Sequence, residues 1–223
     1  METEMERVPH PRRQARDNYN SMSRLYDLFA GSERRFTATG IQMLDVDSDE
    51  SILEIGCGTG HAIAELADKI ENGMIIAIDI SEGMLKVARK RIRCLKSNVR
   101  LCQADGFFLP FSAEQFNAVF LSFTLELFAA PEIPQVLSEC DRVLKVDGRI
   151  VIIAIAKQET YAVRIYEWFH RHIPNLIDCR PIIVQTVLKE AGFITKKSTI
   201  QTMWGLPVEI IIAKKHQVAF TAS

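Results

Sequence analysis

The residues best placed to do chemistry lie in Leu53-Glu54-Ile55-Gly56-Cys57-Gly58-Thr59-Gly60. An apolar run there ends in glycines separated by single residues. Glycine is required where backbone takes positive φ or approaches a ligand closely. At the carboxyl end of a first strand, in an open α/β sheet, such a turn is where a nucleotide-like ligand binds. A dinucleotide fingerprint needs Gly-x-Gly-x-x-Gly or Ala, and the position that would complete it is His61. No Gly-Lys-Ser/Thr follows, so a phosphate-cradling loop is also excluded.

Two aspartates extend the site. Asp79 ends the next apolar run, where a carboxylate can accept from both hydroxyls of a ribose. Asp105 ends the run after that and could accept from an exocyclic amine. Either alone could be a helix cap or a turn former. Their shared placement at strand ends, in step with the glycine turn, favours a ligand site.

The elements that would position these residues follow from periodicity. Short apolar runs alternate with helical patterns: strand Ser51–Ile55, helix His61–Ile70, strand Met74–Ile80, helix Glu82–Lys96 capped by Ser81, and strand Val99–Gln103. Strand Asn117–Phe123, helix Ile133–Leu144 and strand Arg149–Ala156 continue the series, with turns at Glu71-Asn72-Gly73 and Val146-Asp147-Gly148. Strands apolar on both faces imply a parallel sheet covered by helices. Before this core, residues 12–29 carry an apolar stripe and read as an amphipathic helix. A second helix runs from about Ser32, a candidate cap, to Leu44, and Asp45 to Glu50 form an acidic loop. After the core, helices are expected over Thr160–Ile173 and Pro181–Ala191, then strands Ile194–Met203 and Val208–Lys214. The loop between those strands is so short that they must be antiparallel.

The expected architecture is one α/β domain over 1–223. It comprises an N-terminal helical cap over 1–46, a ligand-binding core over 51–156, and substrate-side helices with a closing hairpin over 157–223. Composition agrees with a soluble, cytoplasmic globular protein: 48% hydrophobic, 25% charged, net charge −1. The scattered Cys57, Cys94, Cys102, Cys140 and Cys179 form no Cys-x-x-Cys pair, against a zinc cage or disulfide framework, and no metal is expected. The start of the chain lacks the apolar stretch of a secretory signal, and the apolar run Ile150–Ala156 is too short to span a membrane. Transient contact with a membrane surface stays open. The basic residues Lys86, Arg89, Lys90, Arg91, Arg93 and Lys96 read as a solvated helix face, and no nucleic-acid partner is expected.

Taken together, Glu54-x-Gly-x-Gly-x-Gly60, Asp79, Ala104-Asp105 with Leu109-Pro110-Phe111, Phe116-Asn117-Ala118-Val119 and Leu144-Lys145-x-x-Gly148 closely resemble the class I S-adenosylmethionine-dependent methyltransferases. Flanking features resemble the ubiquinone/menaquinone biosynthesis C-methyltransferases more weakly. These are Tyr26-Asp27 in an N-terminal helix and Ala191-Gly192-Phe193 before the closing hairpin, although the asparagine that follows the Tyr-Asp pair in that group is missing.

The resemblance implies a Rossmann-like fold with a mostly parallel seven-stranded sheet, one antiparallel strand, and helices on both faces. It further implies that the chain binds S-adenosyl-L-methionine and releases S-adenosyl-L-homocysteine. Gly56, Cys57, Gly58, Thr59 and Gly60 would pack under the methionine portion, with Thr59 facing it and Glu54 orienting the turn from behind. Asp79, with Ile80 and Met84 beyond it, would hold the ribose. Ala104, Asp105 and Gly106 would border the adenine, Ser122 would lie beside the sulfonium, and Tyr19 and Tyr26 would approach from the first helix. No catalytic base is nominated, since an exposed or packed structural role is the commoner one for histidines such as His170 and His172 in the late helix. Tyr19, Tyr26 and Phe29 in the first helix, Phe107 and Phe108 in a loop, and Trp168, Phe169 and Ile173 in the late helix could line an apolar acceptor pocket, although most such residues are plain core. A small apolar or aromatic acceptor, quinol-like or lipid-like, is the leading expectation. An RNA or protein methyltransferase and a non-catalytic cofactor-binding protein of the same fold are the alternatives, and the oligomeric state stays open.

Overall fold

The computed structural model describes residues 31–95, 98–172 and 179–216. The helix expected over 12–29, including Tyr19 and Tyr26, lies outside the described residues. Residues 31–44 are helical and are called α1. Ser32 already sits inside that helix, so it is not the cap expected of it. The chain then alternates through β1 (Ser51–Ile55), α2 (His61–Ala67), β2 (Met74–Asp79), α3 (Glu82–Ile92), β3 (Val99–Gln103) and β4 (Phe116–Ser122). It continues through α4 (Ile133–Val143), β5 (Leu144–Ile155), α5 (Tyr161–His172), α6 (Val184–Glu190), β6 (Ile194–Met203) and β7 (Leu206–Lys214).

The seven strands form one sheet in the order β3-β2-β1-β4-β5-β7-β6. β3, β2, β1, β4 and β5 pair in parallel, whereas β7 is antiparallel to both β5 and β6. This is the Rossmann-like class I arrangement, with order reversing between β1 and β4. Such a switch point opens a crevice at the carboxyl ends of the strands.

Alternation along each strand feeds two cores. Ile52, Ile75, Phe120, Val151 and Ile153 pack with Phe36 of α1, Ile63 and Leu66 of α2, and Val163 of α5 on one face. Leu53, Ile78, Val119 and Ile152 pack with Val136, Leu137 and Cys140 of α4 and Leu188 of α6 on the other. Burial at this scale, roughly 25 cal/mol per Å² of apolar surface, is what holds helices of seven residues in place.

Several boundaries differ from expectation. α2 stops at Ala67, with Asp68 as its C-cap. Pro181 does not start α6. Instead Ile182 bridges to Ala156, its amide donating to Ile155 O at 3.0 Å, and the helix begins only at Val184. The last hairpin is tighter than expected, turning on Trp204 and Gly205 at φ 51° and 84°, a pair of positive values that suits a two-residue reversal. β5 runs through the expected turn at Val146-Asp147-Gly148, with Asp147 at φ 64° and the register against β4 shifting between Phe116 and Ala118.

Candidate active site

The glycine turn is built by β1 and β2 together. The amides of Gly56 and Cys57 both donate to Ile78 O at 2.9 Å, and Gly60, at φ 83°, opens α2. Gly56 takes φ 72°, and a Cβ there would overlap the Thr124 side chain that follows β4. Only glycine therefore lets the first turn pass under β4's exit. Above Gly58 the opposite holds: apart from its chain neighbours, no heavy atom of the described residues lies within 4 Å of where its Cβ would stand. The turn is backed by protein at one glycine and open at the next.

Asp79 locks this geometry. Its Oδ2 accepts from Gly58 N at 2.9 Å and its Oδ1 from Ser81 N at 2.8 Å. Each carboxylate oxygen has two acceptor directions, so one remains on each. Burial pushes the Asp79 carboxyl up, opposed by these two amide donors. Ser81 in turn caps α3 by accepting from Met84 N at 3.2 Å, and Met84 is buried. Arg91 of α3 reaches back to Thr59 O. The basic helix face is thus not wholly solvated, since Arg91 braces the turn and Arg89 pairs with Glu82 at 2.7 Å.

The hydrogen bonds that hold the turn run to Ile78 O and Asp79, and Glu54 lies buried behind it. Its side chain is 2% exposed and its Oε2 has no hydrogen-bond partner among the described residues. Burial, reinforced by the Asp79 charge, pushes its carboxyl up to about 8. Cys57 is buried and its thiol is pushed up by the same cause, so it is a packing residue rather than a thiolate.

The second wall follows β3. Ala104 N donates to Asp79 O at 3.2 Å, and Gln103 Nε2 donates to Ile80 O at 2.9 Å, which ties the two strand exits together. Asp105 Oδ1 accepts from Phe107 N at 2.9 Å, so the residue forms a local turn as well as lining the edge. Gly106 is buried, and a Cβ there would approach Ile55 Cγ2 at 2.9 Å and Phe128 Cζ at 3.1 Å. The loop beyond is clamped from α4. Arg142 donates to Phe111 O at 2.7 Å and Leu109 O at 3.1 Å while paired with Glu139, which accepts from Leu109 N at 2.8 Å.

Ser122 closes β4 and shares a hydrogen bond with Thr37 of α1 at 3.2 Å. With Phe36 edge-on to Phe123 at 6.0 Å between centroids, this seats α1 against the exit of β4. Beyond Ser122 stand two residues that sequence reading missed. Glu126 is buried in a short 3-10 turn, and its Oε1 accepts from Ile155 N at 3.3 Å. Arg180 donates to Phe128 O at 2.9 Å; burial pushes its guanidinium down while the Glu126 charge opposes that. The signal for Glu126 was a single acid inside the apolar run Leu121–Phe128.

The expected pocket aromatics part company. Phe107 packs on the α4-side core, Phe108 and Trp168 are exposed, and Ile173 lies outside the described residues. Of Phe169 only the helical backbone is described. His172 is also exposed, stacked on Trp168 at 4.3 Å, with its Nδ1 2.7 Å from Trp168 O. Among the described residues no group of acids, histidines and cysteines is placed to hold a metal ion.

Comparison with known proteins agrees with this geometry. Residues 52–148 match the family described as "Methyltransferase domain". The chain is 30% identical over 162 residues to a demethylmenaquinone methyltransferase of Lactobacillus johnsonii, covering 71% of this chain and 65% of that protein. It spans 55–66% of the length of the curated relatives compared. The Burkholderia thailandensis 1,6-didemethyltoxoflavin-N1-methyltransferase, solved with S-adenosylhomocysteine bound, superposes with a TM-score of 0.74 at 16% identity, covering 95% of this chain and 93% of that one. The [4+2]-cyclase SpnF also superposes with a TM-score of 0.74, at 17% identity, covering 94% of this chain and 99% of that one.

Residues 52–148 thus match a methyltransferase-domain family, in a chain that has the Rossmann-like class I fold. Its sequence is also similar to the ubiquinone and menaquinone biosynthesis methyltransferases.

Proposed function

We propose that this protein methylates a small apolar or aromatic acceptor, quinol-like or lipid-like, using S-adenosylmethionine. The observation that carries the cofactor half is Asp79. Its Oδ2 anchors the glycine turn at Gly58 N and its Oδ1 the start of α3 at Ser81 N, which leaves a second acceptor direction on each oxygen for the two hydroxyls of a ribose. The open space over Gly58 and the unpartnered Glu54 Oε2 fit the same ligand. An ammonium group brought against Glu54 would give that oxygen a partner and pull its proton affinity back toward the ordinary carboxylate range.

In this reading Gly56, Cys57, Gly58, Thr59 and Gly60 border the amino-acid portion, and Asp79, Ile80 and Met84 the ribose. Ala104, Asp105 and Gly106 edge the base, with Phe128 behind Gly106. Ser122, fixed by Thr37, stands where an acceptor would enter. When bound, the cofactor supplies an electrophilic methyl and its own leaving group. The protein then contributes alignment, of order 7–11 kcal/mol in well-oriented systems. The acceptor half rests on likeness to demethylmenaquinone methyltransferases. Nucleic-acid or protein acceptors are less well supported, because the cations of α3 are partly spent on Glu82 and on Thr59 O.

Isothermal titration tests the cofactor half. S-adenosylmethionine and S-adenosylhomocysteine should bind and NAD should be silent. Tight NAD binding with no response to S-adenosylhomocysteine would overturn the reading.

A further inference from the structure

Both tryptophans of this chain stand in solvent, and both sit at the carboxyl edge of the sheet, where the glycine turn opens. Trp168 on α5 is 53% exposed, and Trp204 in the β6–β7 turn is 71% exposed. β5 and β6 run parallel and end at this edge, so α5 and the turn both leave from it. Tyr161 and Ile165 are 85% and 58% exposed. With Trp168 they recur at four- and three-residue steps, which puts all three on one side of α5. The other side buries Val163, and Tyr166 there donates to Cys179 O at 3.0 Å. The two pieces touch: a Cβ at Gly205 would stand 4.0 Å from Ala162 Cβ. Four large side chains thus form a patch of a kind that marks an interaction surface.

The residue types say which surface. Tryptophan and tyrosine have an apolar body and a polar tip, and they concentrate where hydrocarbon meets water. Among the side chains described, exposed Lys157 and Arg164 flank the patch against exposed Glu159, and exposed Arg34 and Arg35 of α1 reach His61 and Thr202 O at the same edge. Aromatic bodies bordered by cations complement an anionic headgroup layer. We propose that α5 and the β6–β7 turn dock this protein on the surface of an anionic lipid bilayer, with the carboxyl edge facing the membrane. Docking of that kind would present the crevice to acceptors dissolved in the bilayer. It does not depend on the methyl-transfer reading, because it is measured without cofactor or acceptor.

The two tryptophans are the test's own reporters. The full chain is mixed with vesicles of phosphatidylcholine alone or of phosphatidylcholine with phosphatidylglycerol, and tryptophan emission and co-sedimentation are followed. Emission should shift to the blue with the anionic vesicles, be quenched by brominated acyl chains, and weaken with salt. Ile165→Asp should lower partitioning about tenfold, the cost of returning one large apolar side chain to water. Tyr161→Ser serves as a second, milder variant should Ile165→Asp lose its circular-dichroism spectrum. Unshifted emission with all protein in the supernatant would overturn the proposal. So would a blue shift that appears on raising protein concentration without lipid, which would assign the patch to a second copy of the chain. Undiminished binding of both variants would also overturn it.

Discussion

Replacing Asp79 by alanine removes the acceptor from two backbone amides, those of Gly58 and Ser81, as well as from any bound ribose. The first loss costs stability, about 1–3 kcal/mol for each amide left buried without a partner. The second should raise the dissociation constant for S-adenosylhomocysteine at least about a hundredfold, from two charge-assisted bonds of roughly 1.5–3 kcal/mol each. Calorimetry on a variant shown to be folded separates them, and an unchanged dissociation constant would make Asp79 purely structural. Glu54 makes a prediction about pH. Its carboxyl titrates near 4.5 in the unfolded chain and at about 8 in the folded one. Between those values the folded state keeps a proton that the unfolded state has lost. Stability from this group is therefore greatest below the lower value, falls as pH rises through the window, and levels off above about 8, by order 1 kcal/mol per pH unit. Glu54→Gln removes the group, so its urea midpoint should fall less than the wild type's over that range. Parallel curves would contradict the burial argument.

At the scale of elements, α4 works at a distance from the crevice. Arg142 and Glu139 hold two carbonyls and one amide of the Leu109–Phe111 stretch, so they fix the loop that carries Asp105 and Gly106. Arg142→Ala should raise amide exchange across residues 105–111 and lower the melting temperature, while exchange in β1 and β2 stays unchanged. Equal exchange in the loop would show that Asp105's own turn is sufficient. That clamp was invisible in the sequence because it joins residues about thirty positions apart. The alternation of strands and helices was legible because burial on both faces writes continuous apolar runs. The start of α6 was not, since Pro181 suits a helix start yet tertiary pairing draws Ile182 onto Ala156 instead. Trp168 illustrates the same limit. Its place in a late helix was readable, but only packing decides which side of α5 faces inward.

For the molecule as a whole, the glycine turn and its two aspartates were readable because local backbone needs select those residues. The Asp79 bonds to Gly58 N and Ser81 N, and the burial of Glu126 against Ile155 N, needed the fold. Architecture does not choose the reaction, since one superposing structure is named a cyclase and another a methyltransferase. The most direct measurement is therefore transfer itself. The protein is incubated with methyl-labelled S-adenosylmethionine and, separately, a demethylated naphthoquinol, a phospholipid and an RNA pool, with label and S-adenosylhomocysteine both counted. The account predicts label in the quinol in step with S-adenosylhomocysteine release, and none in the RNA. Label in RNA, or cofactor binding with no label in any acceptor, would contradict it.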